Sequence, residues 1–194
     1  METRTYTVYK FKELPDAAKE KALERYRNLN VEFVDWSEFV TDSFKEKAEN
    51  MGFEVKAMPF SGFWSQGDGA RIEVSKVDWQ ILAKTDKDFK RLTWLDKIGI
   101  LHGQTYLNGY GHHSCHEKGQ YFRIESDTEG NHNYPKINAY VKECEAAIEK
   151  ILNQMGREYY FGLQKEFEYL TSDEVLIECF ESNDYFFTEN GEID

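Results

Sequence analysis

Residues 61–70 combine several residue types that could bind a ligand or a partner. The segment holds three glycines, two large aromatic side chains, an amide and a carboxylate. Glycines let backbone N–H groups approach an acceptor closely, and an aromatic ring offers a face for stacking. The segment lacks the spacing of a phosphate-binding P-loop and of a dinucleotide fingerprint. Its candidate binding residues are Phe63, Trp64, Ser65, Gln66 and Asp68.

Three interpretations of this loop remain open. It could bind a small molecule, such as a nucleotide signal, with Trp64 as the stacking platform and with Gln66 and Asp68 reading polar edges. It could be structural, with glycines at positive φ, Asp68 bound to loop amides and the aromatics in the core. It could contact a partner protein, because Trp and Phe often anchor interfaces. The residue types alone favour none of the three.

A second candidate lies at residues 111–116, where histidine and cysteine are concentrated. These residue types ligate zinc, but a structural zinc site usually draws on two separated pairs. Four side chains on one short loop cannot all reach a single tetrahedral centre, so distant ligands would be needed. Metal-assisted hydrolysis here is therefore a minority hypothesis, behind a polar loop with solvated histidines. The candidate ligands are His112, His113, Cys115 and His116.

No other pattern predicts catalysis. The chain has no nucleophile elbow and no His-Glu-x-x-His helix. Cys144 and Cys179 fall on the apolar faces of predicted helices, which is typical of packed thiols. Carboxylate pairs such as Asp86 and Asp88 are explained by solvation. We therefore expect a protein that acts by binding, without a catalytic residue or a cofactor.

The net charge of −12 is concentrated at the C-terminal end. Residues 1–52 carry −2, residues 53–136 carry 0 and residues 137–194 carry −10. Beyond Lys165 there are ten acidic residues and no Lys or Arg. Such a surface repels nucleic acid and attracts basic proteins, although solubility alone would also explain it. The predicted partner surface consists of Glu166, Glu168, Asp173, Glu174, Glu178 and Glu181.

Length and composition predict a single cytoplasmic domain over residues 1–194. Apolar residues make up 40% of the chain, which is enough to build one core. No run of about eighteen apolar residues exists, and the first three residues are polar, so we expect neither a membrane span nor a secretory signal. Three widely spaced cysteines argue against a disulfide framework and favour a reducing compartment.

Alternation and helical spacing predict the elements of the N-terminal half and the middle. Strands are predicted near residues 5–9, 53–57 and 70–74, with the candidate loop joining the last two. One helix begins at Pro15, and a second is capped by Asp35 and ends at Gly52. A short helical segment is predicted between Trp79 and Leu95, followed by strands at residues 98–107 and 120–125.

The C-terminal half is predicted to be mainly helical. Apolar residues recur at spacings of three and four from Ile137 to Leu170, which predicts a helix of about 50 Å. Since that rod would overhang a compact domain, either Gly156 or Gly162 breaks it or it meets a partner, such as a second copy. A capping box at residues 171–174 begins another helix, and a short strand follows at residues 185–187. The predicted fold is α+β, an antiparallel sheet with helices packed on one face and a long C-terminal helix.

Residues 9–14, 61–70, 166–174 and 183–191 resemble a family of small acidic proteins encoded by bacteriophages and prophages. The resemblance covers roughly the first seventy-five residues and the last thirty. It implies an accessory protein in the cytoplasm of a bacterial host, and it carries over no catalytic residues. The resulting hypothesis is a non-enzymatic protein that binds and inhibits a host defence or nucleic-acid-handling factor through its acidic surface. The alternative is a small-molecule or nucleotide binder that uses residues 61–70.

Overall fold

The computed structural model describes residues 7–108, 120–127 and 134–194, without the side chains of Val34 and of residues 102–108, 120 and 121. These ranges contain six α-helices, four β-strands and four short 3-10 turns. The helices are α1 Asp16–Arg25, α2 Glu38–Asn50, α3 Trp79–Thr85, α4 Lys90–Lys97, α5 Pro135–Leu170 and α6 Asp173–Ser182. The strands are β1 Phe53–Ala57, β2 Glu73–Val77, β3 Leu101–Asn108 and β4 Gln120–Ser126.

The strands of the described ranges form two antiparallel pairs. β1 pairs with β2, and the register aligns Phe53 with Val77 at one end. β3 pairs with β4, from Leu101 opposite Ser126 to Asn108 opposite Gln120. The predicted α+β class, with antiparallel strands and a long C-terminal helix, is confirmed.

The chain divides into two compact units. The central unit is Phe39–Leu163, and the terminal unit combines Met1–Glu38 with Gln164–Asp194. The helix α5 is continuous through Leu163, so it contributes to both. Each unit has its own cluster of buried apolar side chains. A single domain over residues 1–194 stays a prediction.

The core of the central unit forms where α5 meets the strands and the short helices α3 and α4. Helix α5 buries side chains at the spacing of three and four that predicts one apolar face. The same core contains Ile72, which precedes β2, Val74 of β2, Leu82 of α3 and Leu92 of α4. The buried residues of α5 in this unit are Val141, Cys144, Glu145, Ile148, Leu152, Met155, Gly156, Tyr159 and Leu163.

Neither glycine breaks α5, which excludes one of the two alternatives, and contact of the long helix with a partner stays a prediction. The helix runs unbroken for 36 residues. A Cβ on Gly156 would lie 3.1 Å from the carbonyl oxygen of Ala70 and 3.4 Å from the Cα of Arg71. A Cβ on Gly162 would lie 3.1 Å from a methyl carbon of Val40 and 3.2 Å from the ring of Phe44. These glycines therefore permit close packing of α5 against its neighbours.

The terminal unit is held by a cluster of aromatic rings. Phe180 of α6 contacts Phe11, Tyr26 and Phe187 at ring-centroid distances of 5.3, 6.2 and 5.1 Å. Tyr9 and Phe187 form an antiparallel bridge with N–H···O distances of 2.9 Å in both directions. The predicted first and last strands, at residues 5–9 and 185–187, are therefore joined by an isolated bridge and do not form regular strands in the described residues. Residues 5 and 6 lie outside the described ranges.

Two predicted helix caps are wrong by one to three residues. Ser172, not Thr171, caps α6, because its hydroxyl accepts the N–H of Val175 at 3.4 Å. The Thr171 hydroxyl instead donates to the carbonyl of Phe167 at 2.8 Å. Asp35 lies within the 3-10 turn Val34–Ser37, three residues before α2 begins. The predicted ends at Gly52, with φ of 93°, and near Asn183 are confirmed.

The two α5 glycines are expected to respond differently to alanine. Gly156→Ala should destabilise the protein by about 1–3 kcal/mol, because the new methyl group meets backbone atoms that cannot rotate away. Gly162→Ala should cost less than about 1 kcal/mol, since its neighbours are side-chain tips and alanine favours the helix. Urea unfolding of both variants tests this. Equal costs would contradict the close backbone approach at Gly156.

Candidate functional site

A short backbone stem holds the candidate loop between β1 and β2. Phe60 and Ala70 form an antiparallel bridge, and Arg71 donates its N–H to the carbonyl of Pro59 at 3.1 Å. One residue further in, Ser61 donates its N–H to the carbonyl of Gly69 at 3.0 Å. The Ser61 hydroxyl accepts the Gly69 N–H at 3.1 Å. The stem therefore extends the β1–β2 pairing and fixes both ends of the loop.

Asp68 organises the interior of the loop. Its carboxylate accepts the Ser65 N–H at 2.6 Å, and its own N–H donates to the Ser65 carbonyl at 3.1 Å. Between them, Gly67 has a φ of 94°, which glycine adopts without strain. A Cβ on Gly62 would lie 3.2 Å from the Asp68 carboxylate. The Asp68 contact with a loop amide and the positive φ of Gly67 agree with the structural interpretation, but its placement of the aromatics in the core is wrong for Trp64, which is 67% exposed. Ligand recognition by Asp68 stays a prediction.

The aromatic residues of the loop pack against α5. The Phe63 ring lies 5.6 Å from the Tyr160 ring and 5.6 Å from the Trp64 ring. The Tyr160 hydroxyl donates to the carbonyl of Phe63 at 3.0 Å. Beside it, Phe161 is 57% exposed, and Trp64 is 67% exposed. These four rings form a partly exposed surface of the central unit, which we call the aromatic face.

The sequence analysis did not predict two members of the aromatic face, Tyr160 and Phe161. Both lie on α5 between Tyr159 and Leu163, which are buried and belong to the predicted apolar side of the helix. A phenylalanine outside the apolar stripe of a helix was the available signal, since it indicates an exposed ring. Of the predicted loop residues, Ser65 and Gln66 are exposed, while Phe63 and Asp68 are partly buried.

The local charge at the aromatic face is unfavourable for phosphate. Burial raises the pKa of Tyr160, and the negative charge of Asp68 raises it further. The same carboxylate would repel the phosphates of a nucleotide stacked on Trp64. In addition, the N–H groups of Ser65 and Gly69 are already bound within the loop. These observations argue against nucleotide binding at this loop. Nucleotide binding itself stays a prediction.

The predicted acidic surface lies in the terminal unit, and its six residues have different surroundings. Glu174, Glu178 and Glu181 are exposed and follow one another on α6 at spacings of four and three, so they share a face. Asp173 is held by the guanidinium of Arg27 at 2.7 Å. Glu168 is exposed and accepts the amide N–H of Gln164 at 2.9 Å, and Glu166 is partly buried.

Basic residues of the N-terminal segment neutralise part of the acidic C-terminal end. Besides the Arg27 pair, Lys10 binds Asp184 at 2.8 Å and Arg25 binds Glu192. The Lys10 ammonium holds the pKa of the Asp184 carboxyl below its ordinary value. The terminal unit still contains eighteen acidic and eight basic residues, a net charge of −10. Glu174, Glu178 and Glu181 of the α6 face take part in none of these pairs.

The central unit also has a cavity of about 420 Å³ beside α5. Cys144 and Tyr140 are among its lining residues. Burial raises the pKa of the Cys144 thiol, a hydrogen bond with Tyr140 partly offsets this, and the charges of Glu143, Asp88 and Asp86 raise the pKa further. The Tyr140 hydroxyl donates to the carbonyl of Asp88 at 2.7 Å. The sequence predicted the packed thiol but not this cavity.

The predicted metal ligands His112, His113, Cys115 and His116 lie outside the described residues. Within residues 7–108, 120–127 and 134–194, no group of three or more His, Cys, Asp or Glu side chains is placed to hold a metal ion. Nor does any helix in those ranges have the length and apolar character needed to cross a membrane.

Comparison with known protein families identifies the family of this chain but not its function. Residues 36–173, more than half of the chain, match the family described as Domain of unknown function (DUF8835). The chain belongs to this family. The matched range covers the whole central unit, including the candidate loop, and all of α5, and it ends at the first residue of α6. Searches of curated proteins and of solved structures found no match.

The Tyr160 hydroxyl is expected to fix the loop on α5. Tyr160→Phe keeps the ring contacts with Phe63 but removes the hydrogen bond to the loop carbonyl, so it should cost about 1 kcal/mol of stability. Because the loop loses an anchor, the fluorescence anisotropy of Trp64 should also fall, measured with the other three tryptophans replaced by phenylalanine. Unchanged stability and anisotropy would contradict the anchoring role.

Cys144 is expected to resist thiol reagents in the native protein. A raised pKa lowers the fraction of reactive thiolate at a given pH, and burial limits access. In a Cys115→Ser background, a disulfide reagent at pH 8 should therefore modify Cys179 before Cys144, which should react only on unfolding. Mass spectrometry of the labelled peptides distinguishes the two thiols. Rapid native labelling of Cys144 would contradict its buried position.

Proposed function

We propose that this protein acts by binding, and that its partner is a protein with a basic surface. The contact is made by the face of α6 that carries Glu174, Glu178 and Glu181. Binding would cover a basic functional site of the partner and so inhibit it. In line with the resemblance of residues 61–70 and 166–174 to phage-encoded proteins, the proposed setting is the cytoplasm of a bacterial host, and the proposed target is a defence or nucleic-acid-handling factor.

The rigid attachment of α6 is the first support for this proposal. Leu176 and Phe180 are buried on the opposite side of the helix, in the aromatic cluster of the terminal unit. Ser172 caps the first turn, and the Tyr185 N–H donates to the Phe180 carbonyl at 3.0 Å after the last turn. The three carboxylates are therefore presented on a fixed backbone, which reduces the entropy lost on binding.

Charge is the observation that carries the proposal. The internal ion pairs of the terminal unit use Asp16, Asp173, Asp184 and Glu192. No ion pair with another described residue involves the three glutamates of the α6 face. The α6 helix contains no Lys or Arg that would offset them. A field of one sign speeds encounter with a basic partner and repels nucleic acid.

The test is capture of partners from bacterial host lysate by wild type and by the triple variant E174Q/E178Q/E181Q. We expect wild type to retain one or more basic proteins, identified by mass spectrometry, at low salt and to lose them as salt rises. If each exposed charge contributes about 0.5 kcal/mol, the variant should bind such a partner about tenfold more weakly.

Helix α2 offers a matched control. Its residues Asp42, Glu46 and Glu49 are exposed and have the same spacing of four and three as the α6 glutamates. However, Lys45 and Lys47 lie between them, so the local charge is balanced. D42N/E46Q/E49Q changes the net charge equally and should keep the partner. Equal retention by the two triple variants, or binding insensitive to salt, would contradict the proposal.

A further inference from the structure

Helix α4 presents to solvent a basic face with a tryptophan in its middle. The opposite side of the helix holds Leu92 and Leu95, which are buried in the core of the central unit. The Thr93 hydroxyl donates to the Trp79 carbonyl at 3.1 Å, and this bond ties α4 to α3. Trp94 is 53% exposed. The α4 face, which begins in the 3-10 turn before the helix, comprises Lys87, Lys90, Arg91, Trp94, Lys97 and Ile98.

Helical spacing places these residues on one side of α4. An α-helix turns by about 100° per residue, so positions 90, 91, 94, 97 and 98 fall within about 120° of its circumference. Trp94 lies near the middle of that arc, with Lys90 and Lys97 on one flank and Arg91 on the other. The acidic residue of the helix, Asp96, lies about 200° further round than Trp94. Cations therefore flank the ring on both sides.

The four cations of the α4 face do not take part in internal ion pairs. Among the described residues, no carboxylate pairs with any of them. Arg91 lies over the Tyr140 ring, 5.3 Å from its centroid. Asp86 and Asp88 precede the helix and line the cavity beside α5 together with Tyr140. The lysines on the other flank of Trp94 are therefore available to an anionic partner.

The acidic character of the whole chain belongs mainly to the terminal unit. That unit holds a net charge of −10 out of −12, so the central unit is close to balanced. At physiological salt, the interaction between exposed charges is largely screened beyond about 8 Å. A local basic surface on the central unit is therefore compatible with an acidic chain.

We propose that the α4 face binds single-stranded nucleic acid, with one base stacked on Trp94 and with phosphates bound by the lysines and the arginine around it. Proteins that bind single strands combine a basic surface with aromatic rings on which bases stack. A single strand fits better than a duplex, because paired bases are stacked on each other and do not reach the ring. This activity is separate from the protein contact proposed for α6, and it uses a different unit.

The same residues fit a membrane surface poorly. A helix that lies in the membrane interface buries a large apolar face among the lipids. The apolar face of α4 is already used, because Leu92 and Leu95 lie in the protein core. Trp94 and Ile98 are the apolar members of the exposed side, and basic residues flank them. DNA and RNA both fit this chemistry, because each supplies phosphates and the faces of unpaired bases.

The test is the fluorescence anisotropy of labelled oligomers of about twelve nucleotides, a length within the site sizes of single-strand binders. Thymidine DNA and uridine RNA oligomers should both bind the full chain, and their relative affinities show which polymer is preferred. With four phosphate contacts, the slope of log affinity against log salt should be about −3. A duplex of the same length and phosphatidylserine vesicles should bind more weakly than the single strands.

Variants of the α4 face separate stacking from charge. Trp94→Ala should weaken binding at least about fivefold, because the stacked base loses its platform. Trp94→Phe keeps a ring and should keep most of the affinity. K87Q/K90Q/K97Q should reduce the salt slope by about two, because three phosphate contacts are lost. The lysine variant changes only exposed side chains, so it keeps the test decisive if Trp94→Ala does not fold.

Matched controls lie elsewhere in the central unit. Phe39 of α2 is 82% exposed, so Phe39→Ala removes an exposed ring and should leave binding unchanged. K45Q/K56Q/K76Q removes three exposed lysines of α2, β1 and β2 and should keep the wild-type salt slope. Absence of binding, tighter binding of the duplex or the vesicles, or equal losses in the control variants would overturn the proposal.

Discussion

The close approach of α5 to the backbone at Ala70 is the constraint on which the central unit depends. A Cβ at position 156 would lie 3.1 Å from the Ala70 carbonyl oxygen, so any side chain there requires the helix or the backbone at Ala70 to shift. Once that contact fixes the position of the helix, its geometry fixes the rest. Tyr160, one turn later, reaches the loop carbonyl of Phe63, and Glu149, about two turns earlier, reaches the backbone of β4. Helix α5 thus bonds to β4 before this contact and to the candidate loop after it.

The terminal unit depends on a different principle, the mutual burial of aromatic rings from both ends of the chain. Phe11 and Tyr26 come from the N-terminal segment, while Phe180 and Phe187 come from the C-terminal one. Bringing these segments together also brings Lys10, Arg25 and Arg27 to the acidic end. Hydrophobic packing therefore selects which carboxylates are neutralised and which remain on the surface of α6. The partner surface that we propose is what this selection leaves exposed.

Periodicity made most of the elements predictable. The alternation in residues 53–57 and the apolar stripe of α5 each reflect one buried face, and a repeating local pattern is sufficient to reveal it. The errors concern features without a repeat. Gly156 and Gly162 suggest a break by composition, yet they serve close packing that depends on residues far away in the sequence. The observed N-cap of α6 is Ser172 and not the predicted Thr171. A side-chain hydroxyl can bond to backbone groups before or after it in the chain, and the hydroxyl of Thr171 bonds to the preceding turn. The cavity at Cys144 combines residues more than fifty positions apart, so no local pattern marks it.

The sequence by itself determined the α+β class, the long C-terminal helix, the placement of the loop between two strands and the sign of the C-terminal charge. Each of these is a property of neighbouring residues or of a sum over them. Only the tertiary structure decided which glutamates stay exposed, which aromatic rings surround Trp64 and which carboxylates accept N–H groups of β4. Those outcomes depend on contacts between distant segments, and such contacts form where close packing and buried N–H groups allow no alternative.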